Sequence, residues 1–146
     1  MKCLPVLVAL LFVSCESRNS LTPEQQLDFE QMARSYQTTY MAGSKNLDQI
    51  LAGMDEDIQM WENGKIWTYQ DMVKFGPHLP SKKVVDTYNE QVLLDPETGY
   101  DFVTLLYISS LSGDTLREST SRIWKRVGDT WKIMKMSNLI GPESCN

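Results

Sequence analysis

Residues 118–140, ESTSRIWKRVGDTWKIMKMSNLI, constrain most sharply what this chain can fold into. Two strand-like runs meet at Gly128-Asp129. A Gly-Asp connection suits a type II′ turn, whose first position needs positive φ and whose twist matches the flanking strands. The run is predicted to close a sheet as its last hairpin, with Trp124 and Trp131, two of the chain's four tryptophans, near the turn.

The preceding segments supply the rest of that sheet. Strands are predicted at 82–94, 100–111, 116–127 and 130–140, separated by DPETG, Ser112-Gly113-Asp114 and Gly128-Asp129, which makes a meander. The run 100–111 is apolar on both parities, with Phe102, Leu106 and Ile108 against Val103, Leu105 and Tyr107, so a central strand covered on both faces is expected. Asn63-Gly64 is a type I′ hairpin signal between strands at 58–62 and 65–67.

Helices precede and interrupt these strands. Thr22-Pro23-Glu24-Gln25 combines an N-cap, a proline at the first helical position and a residue able to complete a capping box. The helix should run to about Ala42, with Phe29, Met32, Ala33, Tyr36 and Tyr40 as its apolar stripe and Gly43 as its stop. A second helix opens at Ser44 or Asn46, carries Leu47, Ile50, Leu51 and Met54, and ends at Asp55-Glu56-Asp57. Thr68, with Asp71 at the third position, caps a short helix that ends at Gly76-Pro77. This order predicts an α+β domain, N-terminal helices packed on one side of a curved antiparallel sheet.

At 146 residues the chain is expected to form one domain, large enough for a core without metal or disulfide support. Residues 1–14 contain Lys2 and the apolar run 4–13, too short to span a bilayer and stay there, which reads as a signal peptide. Leu11-Phe12-Val13-Ser14-Cys15 resembles the lipobox of bacterial lipoproteins, with Phe12 where Leu is usual. The resemblance implies cleavage before Cys15, lipid on Cys15, and an extracytoplasmic, membrane-anchored location in a bacterial envelope. Residues 15–21 would be a tether, 22–141 the domain and 142–146 a tail. Cys3 would leave with the signal and Cys15 carry lipid, so Cys145 stands alone and no internal disulfide is available. Without Lys2, 13 Lys and Arg face 19 Asp and Glu, a formal balance of −6. Such a surface disfavours nucleic acid as a partner and gives no electrostatic help on acidic lipids.

The segments YMAG, DEDIQMWENGK and the Trp124/Trp131 hairpin, in that order, resemble the nuclear transport factor 2-like superfamily, over about residues 24–140. The resemblance implies a cone-shaped α+β half-barrel. In its ketosteroid isomerase-like members a helix tyrosine donates to an oxyanion and a strand carboxylate moves a proton. Tyr36, seven residues before Gly43, and Glu62, five after Asp57, take those places. The superfamily's protonated Asp falls here on Ser121 or Arg122, neither of them an acid, and Arg122 is expected to pair with Glu62 or with an anionic ligand.

Other readings of the same residues stay open. Tyr36 also fits a core tyrosine, Glu62 a solvated acid beside a turn, and Trp61, Trp67 and Trp124 either pocket walls or core and dimer packing. His78, the single histidine, lies between two prolines, and no zinc or calcium ligand pattern, phosphate loop or nucleophile elbow is present. Three functions follow as expectations. The first is a domain binding a small, partly apolar molecule through Tyr36, Tyr40, Trp61, Glu62, Arg122 and Trp124, with no cofactor or metal. The second is a cofactor-free lyase or isomerase using Glu62 and Tyr36. The third is a non-catalytic homodimer joined through the outer face of the sheet.

Overall fold

The computed structural model describes residues 21–143. The leader, Cys15 and most of the expected tether, and Cys145 near the other end, lie outside the described residues. Helix α1 (Pro23–Met41) begins as the sequence dictates: the Thr22 hydroxyl accepts from the Gln25 amide, the Gln25 side chain accepts from the Thr22 amide, and Pro23 sits at the first position. A 3-10 turn (Gly43–Asn46) leads to α2 (Leu47–Ala52). Helix α3 (Tyr69–Phe75) repeats the reciprocal cap with Thr68 and Asp71, and those hydrogen bonds hold the Asp71 carboxyl below its ordinary range.

The strands are β1 (Met54–Glu62), β2 (Lys65–Thr68), β3 (Lys82–Asp95), β4 (Thr98–Ser109), β5 (Thr115–Val127) and β6 (Thr130–Pro142). They form one curved, unclosed sheet in the order β2-β1-β6-β5-β4-β3. Both two-residue turns have the expected backbone: Asn63 and Gly64 at φ 47° and 82°, and Gly128 at 61°. Among the described residues no helix is long and apolar enough to cross a membrane.

Three expectations are corrected. The second helix stops at Ala52, because Gly53 ends it, and Met54 with the three acids that follow begins β1. The β1–β6 register is irregular between Met54 and Gln59, and Glu56 and Asp57 there face solvent. The sheet is mixed: β1 pairs parallel to β6, since the meander returns to it only through its last strand. Strand β4 is covered on one face. Asp101, Val103, Leu105 and Tyr107 are buried, whereas Tyr100, Phe102, Leu106 and Ile108 are half-buried, because the helices cover only the inner face.

The core lies between α1 and that inner face. Phe29, Ala33, Tyr36 and Tyr40 meet Ile58, Met60, Trp124, Ile133 and Met136. Trp124 is the centre of an aromatic cluster, with the Phe29 and Tyr36 rings set edge-on at 6.5 and 5.2 Å. Each such pair contributes about 0.5–1.5 kcal/mol beyond simple burial. A bulge in β6 shifts the inward parity from Ile133 to Met136, which keeps Ile133 opposite Trp124 and Met136 opposite Arg122.

Candidate functional site

Sheet register sorts the inward side chains into four rows, from the Trp124 end of the cone, here its base, to the end that carries Glu62 and Glu118, here its mouth. Gly99, Trp124 and Ile133 form the base row; Asp101, Arg122, Met136, Met60 and Trp67 the next; Val103, Thr120, Asn138 and Glu62 the third; Leu105 and Glu118 the fourth. Each row lies two residues, about 7 Å, from the next.

The second row is a buried polar lock. Asp101 receives Nε and Nη2 of Arg122 at 2.9 and 2.5 Å and the indole Nε1–H of Trp124 at 2.9 Å, and all three residues are fully buried. The expected Arg122–Glu62 pair is therefore not made. Glu62 lies one row and two strands from Arg122, about 12 Å between Cα atoms, whereas Asp101 is directly opposite on the next strand at about 5 Å. The guanidinium also stands 5.4 Å from the centre of the Tyr36 ring and 5.6 Å from that of Trp124. Tyr36 donates its hydroxyl to the carbonyl of Ile50 at 3.2 Å, and burial pushes its phenol well up, with Arg122 opposing.

The third and fourth rows carry the mouth. Asn138 donates through Nδ2 to Glu62 at 3.2 Å and to the Tyr40 hydroxyl at 3.5 Å. Glu118 is fully buried, with Lys82 on one oxygen and the Thr120 hydroxyl on the other. The Lys82 ammonium lies 4.5 Å from the centre of the Tyr40 ring and 5.2 Å from that of Tyr107. Burial first, then the Glu118 and Glu62 carboxylates, push the Tyr107 phenol up to about 12; the same causes also raise Tyr40, against the Asn138 hydrogen bond.

A cavity of about 70 Å³ opens here. Met60, Trp67, Met72, Phe75 and Leu79 form its apolar wall, and Tyr40, Glu62 and Asn138 its polar end. Ligand pockets for drug-sized molecules span roughly 300–1,000 Å³, so this one suits a molecule of a few heavy atoms. The expected site residues thus divide. Tyr40 and Glu62 share the cavity. Tyr36 and Trp124 border instead a shallow groove with Met32, Thr39 and Trp131, and Arg122 is locked beneath. Trp61 points to the outer face of the sheet, 39% exposed.

Asp101, Asn138, Glu118 and Lys82 were not singled out by the sequence. An Asp inside an apolar strand is the one legible sign among them, since a buried carboxylate needs a partner. Among the described residues no group of three or more His, Cys, Asp or Glu side chains is placed to hold a metal ion.

No family model matches the chain, and no curated protein matches it. Solved structures do match. An NTF2-like protein of unknown function in nutrient uptake from Rhodospirillum rubrum superposes with a TM-score of 0.61 at 16% identity, covering 79% of this chain and 97% of that one. A ketosteroid isomerase-like protein from Erwinia carotovora atroseptica gives 0.61 at 10% identity over 82% and 98% of the two chains. A type 2 hexachlorocyclohexane dehydrochlorinase gives 0.56 at 9%, over 86% and 95%. At such identities the likeness is one of fold, the nuclear transport factor 2-like cone.

Proposed function

We propose that this chain is a lipid-anchored, extracytoplasmic protein of a bacterial envelope whose cone domain binds a small, partly apolar molecule at its mouth. The observation that carries the binding reading is the cavity under α3, apolar along Met60, Trp67, Met72 and Leu79 and polar at Glu62 and Asn138. Concave sites with a few convergent polar groups are where small ligands are held. An isomerase-type reaction is not favoured. Tyr36 spends its hydroxyl on Ile50 and does not line the cavity that holds Glu62, and Arg122 with Asp101 occupies the next row as a neutralised pair.

A mixed-compound thermal-shift screen on the full chain in non-ionic detergent tests the binding. At least one small, partly apolar compound should raise the melting temperature saturably, since ligand at 100 times its Kd stabilises by about 2.7 kcal/mol. A screen without a hit would overturn the reading.

The anchor rests on 11–15, LFVSC. Cys15→Ala should release the protein from the membrane fraction or leave it uncleaved, because stable anchoring needs two or more acyl chains. Mass spectrometry of the native N-terminus decides: an unmodified mature chain beginning elsewhere than Cys15 contradicts the anchor.

A further inference from the structure

We infer that the mouth cavity takes a small organic ammonium ion, with its charged nitrogen at Glu62 and Asn138 and its short apolar tail between Trp67 and Leu79. The inference rests on the binding reading above and adds the charge of the ligand.

The polar end has an excess of acceptors. Asn138 is 6% exposed; its Nδ2 is already committed to Glu62 and Tyr40, and among the described residues its Oδ1 has no hydrogen-bond partner. A carboxylate offers about four acceptor positions. Among the described residues the one side-chain hydrogen bond to Glu62 comes from Asn138. Against these stand two neutral donors, the indole Nε1–H of Trp67 on the wall, which has no partner among the described residues, and the Tyr40 hydroxyl, which accepts from Asn138 and donates to no described residue. A buried acceptor left unpaired is costly, and a ligand that brings N–H donors removes that cost where one bringing further acceptors does not.

Charge points the same way. Glu118 has Lys82, and Asp101 has Arg122, so both of those carboxylates are matched. Glu62 makes no ion pair with a described residue, and Lys65, opposite it in the β1–β2 hairpin, is exposed to solvent. One negative charge is therefore unanswered beside the cavity. The wall adds aromatic surface: Trp67 and Phe75 meet edge-on with ring centres 5.4 Å apart, and an aromatic face favours a cation over an anion.

The test compares three probes of one size and different charge, n-butylammonium, butan-1-ol and butyrate, by 1H–15N NMR of the full chain in non-ionic detergent. Trp67 reports from the cavity wall through its indole N–H, and Trp61 on the outer face is the internal control. Butylammonium should shift the Trp67 resonance saturably, at least about tenfold more tightly than butanol, and leave Trp61 unmoved; tenfold is within what one charge-assisted hydrogen bond can supply. Butyrate should leave both unmoved. Glu62→Gln should bring butylammonium level with butanol. This comparison on the unaltered protein needs no variant, so misfolding of Glu62→Gln cannot mask the outcome. Butyrate or butanol binding as tightly as butylammonium overturns the charge assignment and leaves the binding reading intact. No probe moving Trp67, together with a thermal-shift screen without a hit, overturns both.

Discussion

Arg122 carries a full charge with no exposed surface, and the residue opposite it decides what that costs. Its partner is Asp101, which also takes the Trp124 indole, so the lock belongs to folding. Removing one partner of a buried pair costs about 3–5 kcal/mol, because the other charge stays buried and unanswered. Asp101→Asn should lose that much in urea denaturation, whereas Glu62→Gln, half-buried at the mouth, should change stability by less than about 1 kcal/mol. Because Glu62 and Arg122 are not partners, the losses of Glu62→Gln and Arg122→Gln should add within about 0.5 kcal/mol. Equal losses in the two single carboxylate variants, or strong coupling of Glu62 to Arg122, would contradict the division between lock and mouth. Tyr107 gives a pH dependence. The unfolded chain ionises this phenol near 10.0, while the folded one keeps its proton to about 12. Above pH 10 the unfolded state therefore binds fewer protons, and stability falls through that window. Tyr107→Phe removes this share of the fall, so urea midpoints of wild type and variant should converge or cross between those two values; a constant difference would contradict it. Little of this was legible beforehand. Tyr36 and Tyr40 could be placed on the buried stripe of a helix, but the Asp101–Arg122 contact spans 21 residues and depends on β4–β5 register. Periodicity carries no information on that register. The partner of the Tyr36 hydroxyl, the Ile50 carbonyl, belongs to the neighbouring helix and is equally silent in the sequence.

At the scale of elements the sequence was far more explicit, because caps and turns are local. Thr22/Gln25, Thr68/Asp71, Asn63-Gly64 and Gly128-Asp129 each announce an element boundary through groups at most three residues apart. The end of α2 was misplaced since Leu47, Ile50, Leu51 and Met54 keep helical spacing across Gly53, while the backbone turns there: the Gly53 carbonyl accepts from the Ile133 amide at 2.8 Å and so begins the β1–β6 pairing. Close packing of α1 on the sheet yields a prediction at Gly99. A Cβ there would stand 2.3 Å from two ring atoms of Phe29, which is fully buried against Trp124 and Trp131. Glycine to alanine in a strand ordinarily gains about 0.4–1 kcal/mol through the unfolded state. Here overpacking should reverse the sign, with a loss of about 1–3 kcal/mol for Gly99→Ala. Phe29→Leu in the same chain should recover part of it. Denaturation midpoints of the two single variants and the double variant check this, and a Gly99→Ala more stable than wild type would mean that α1 sits less tightly than described.

Across the whole molecule, the cone is filled at its base and hollow at its mouth. Trp124, Phe29, Ile133 and the Asp101–Arg122 lock fill the base, and the cavity of about 70 Å³ lies between α3 and the second and third rows. The α+β cone was legible from the order of helices and hairpins. Which half of it stays hollow was not, since that follows from how far Arg122 and Trp124 reach inward from β5. A shallower groove of about 320 Å³ beside Tyr36 and Trp131 is one competing place for a ligand. The most direct measurement is a crystal structure of the protein with a compound that raises its melting temperature. The compound is expected in the mouth cavity, against Trp67 and Leu79, with a polar atom within hydrogen-bonding distance of Glu62 or Asn138. A compound seated in the Tyr36–Trp131 groove, or on the outer face beside Trp61, with the mouth cavity empty, would contradict the proposed site.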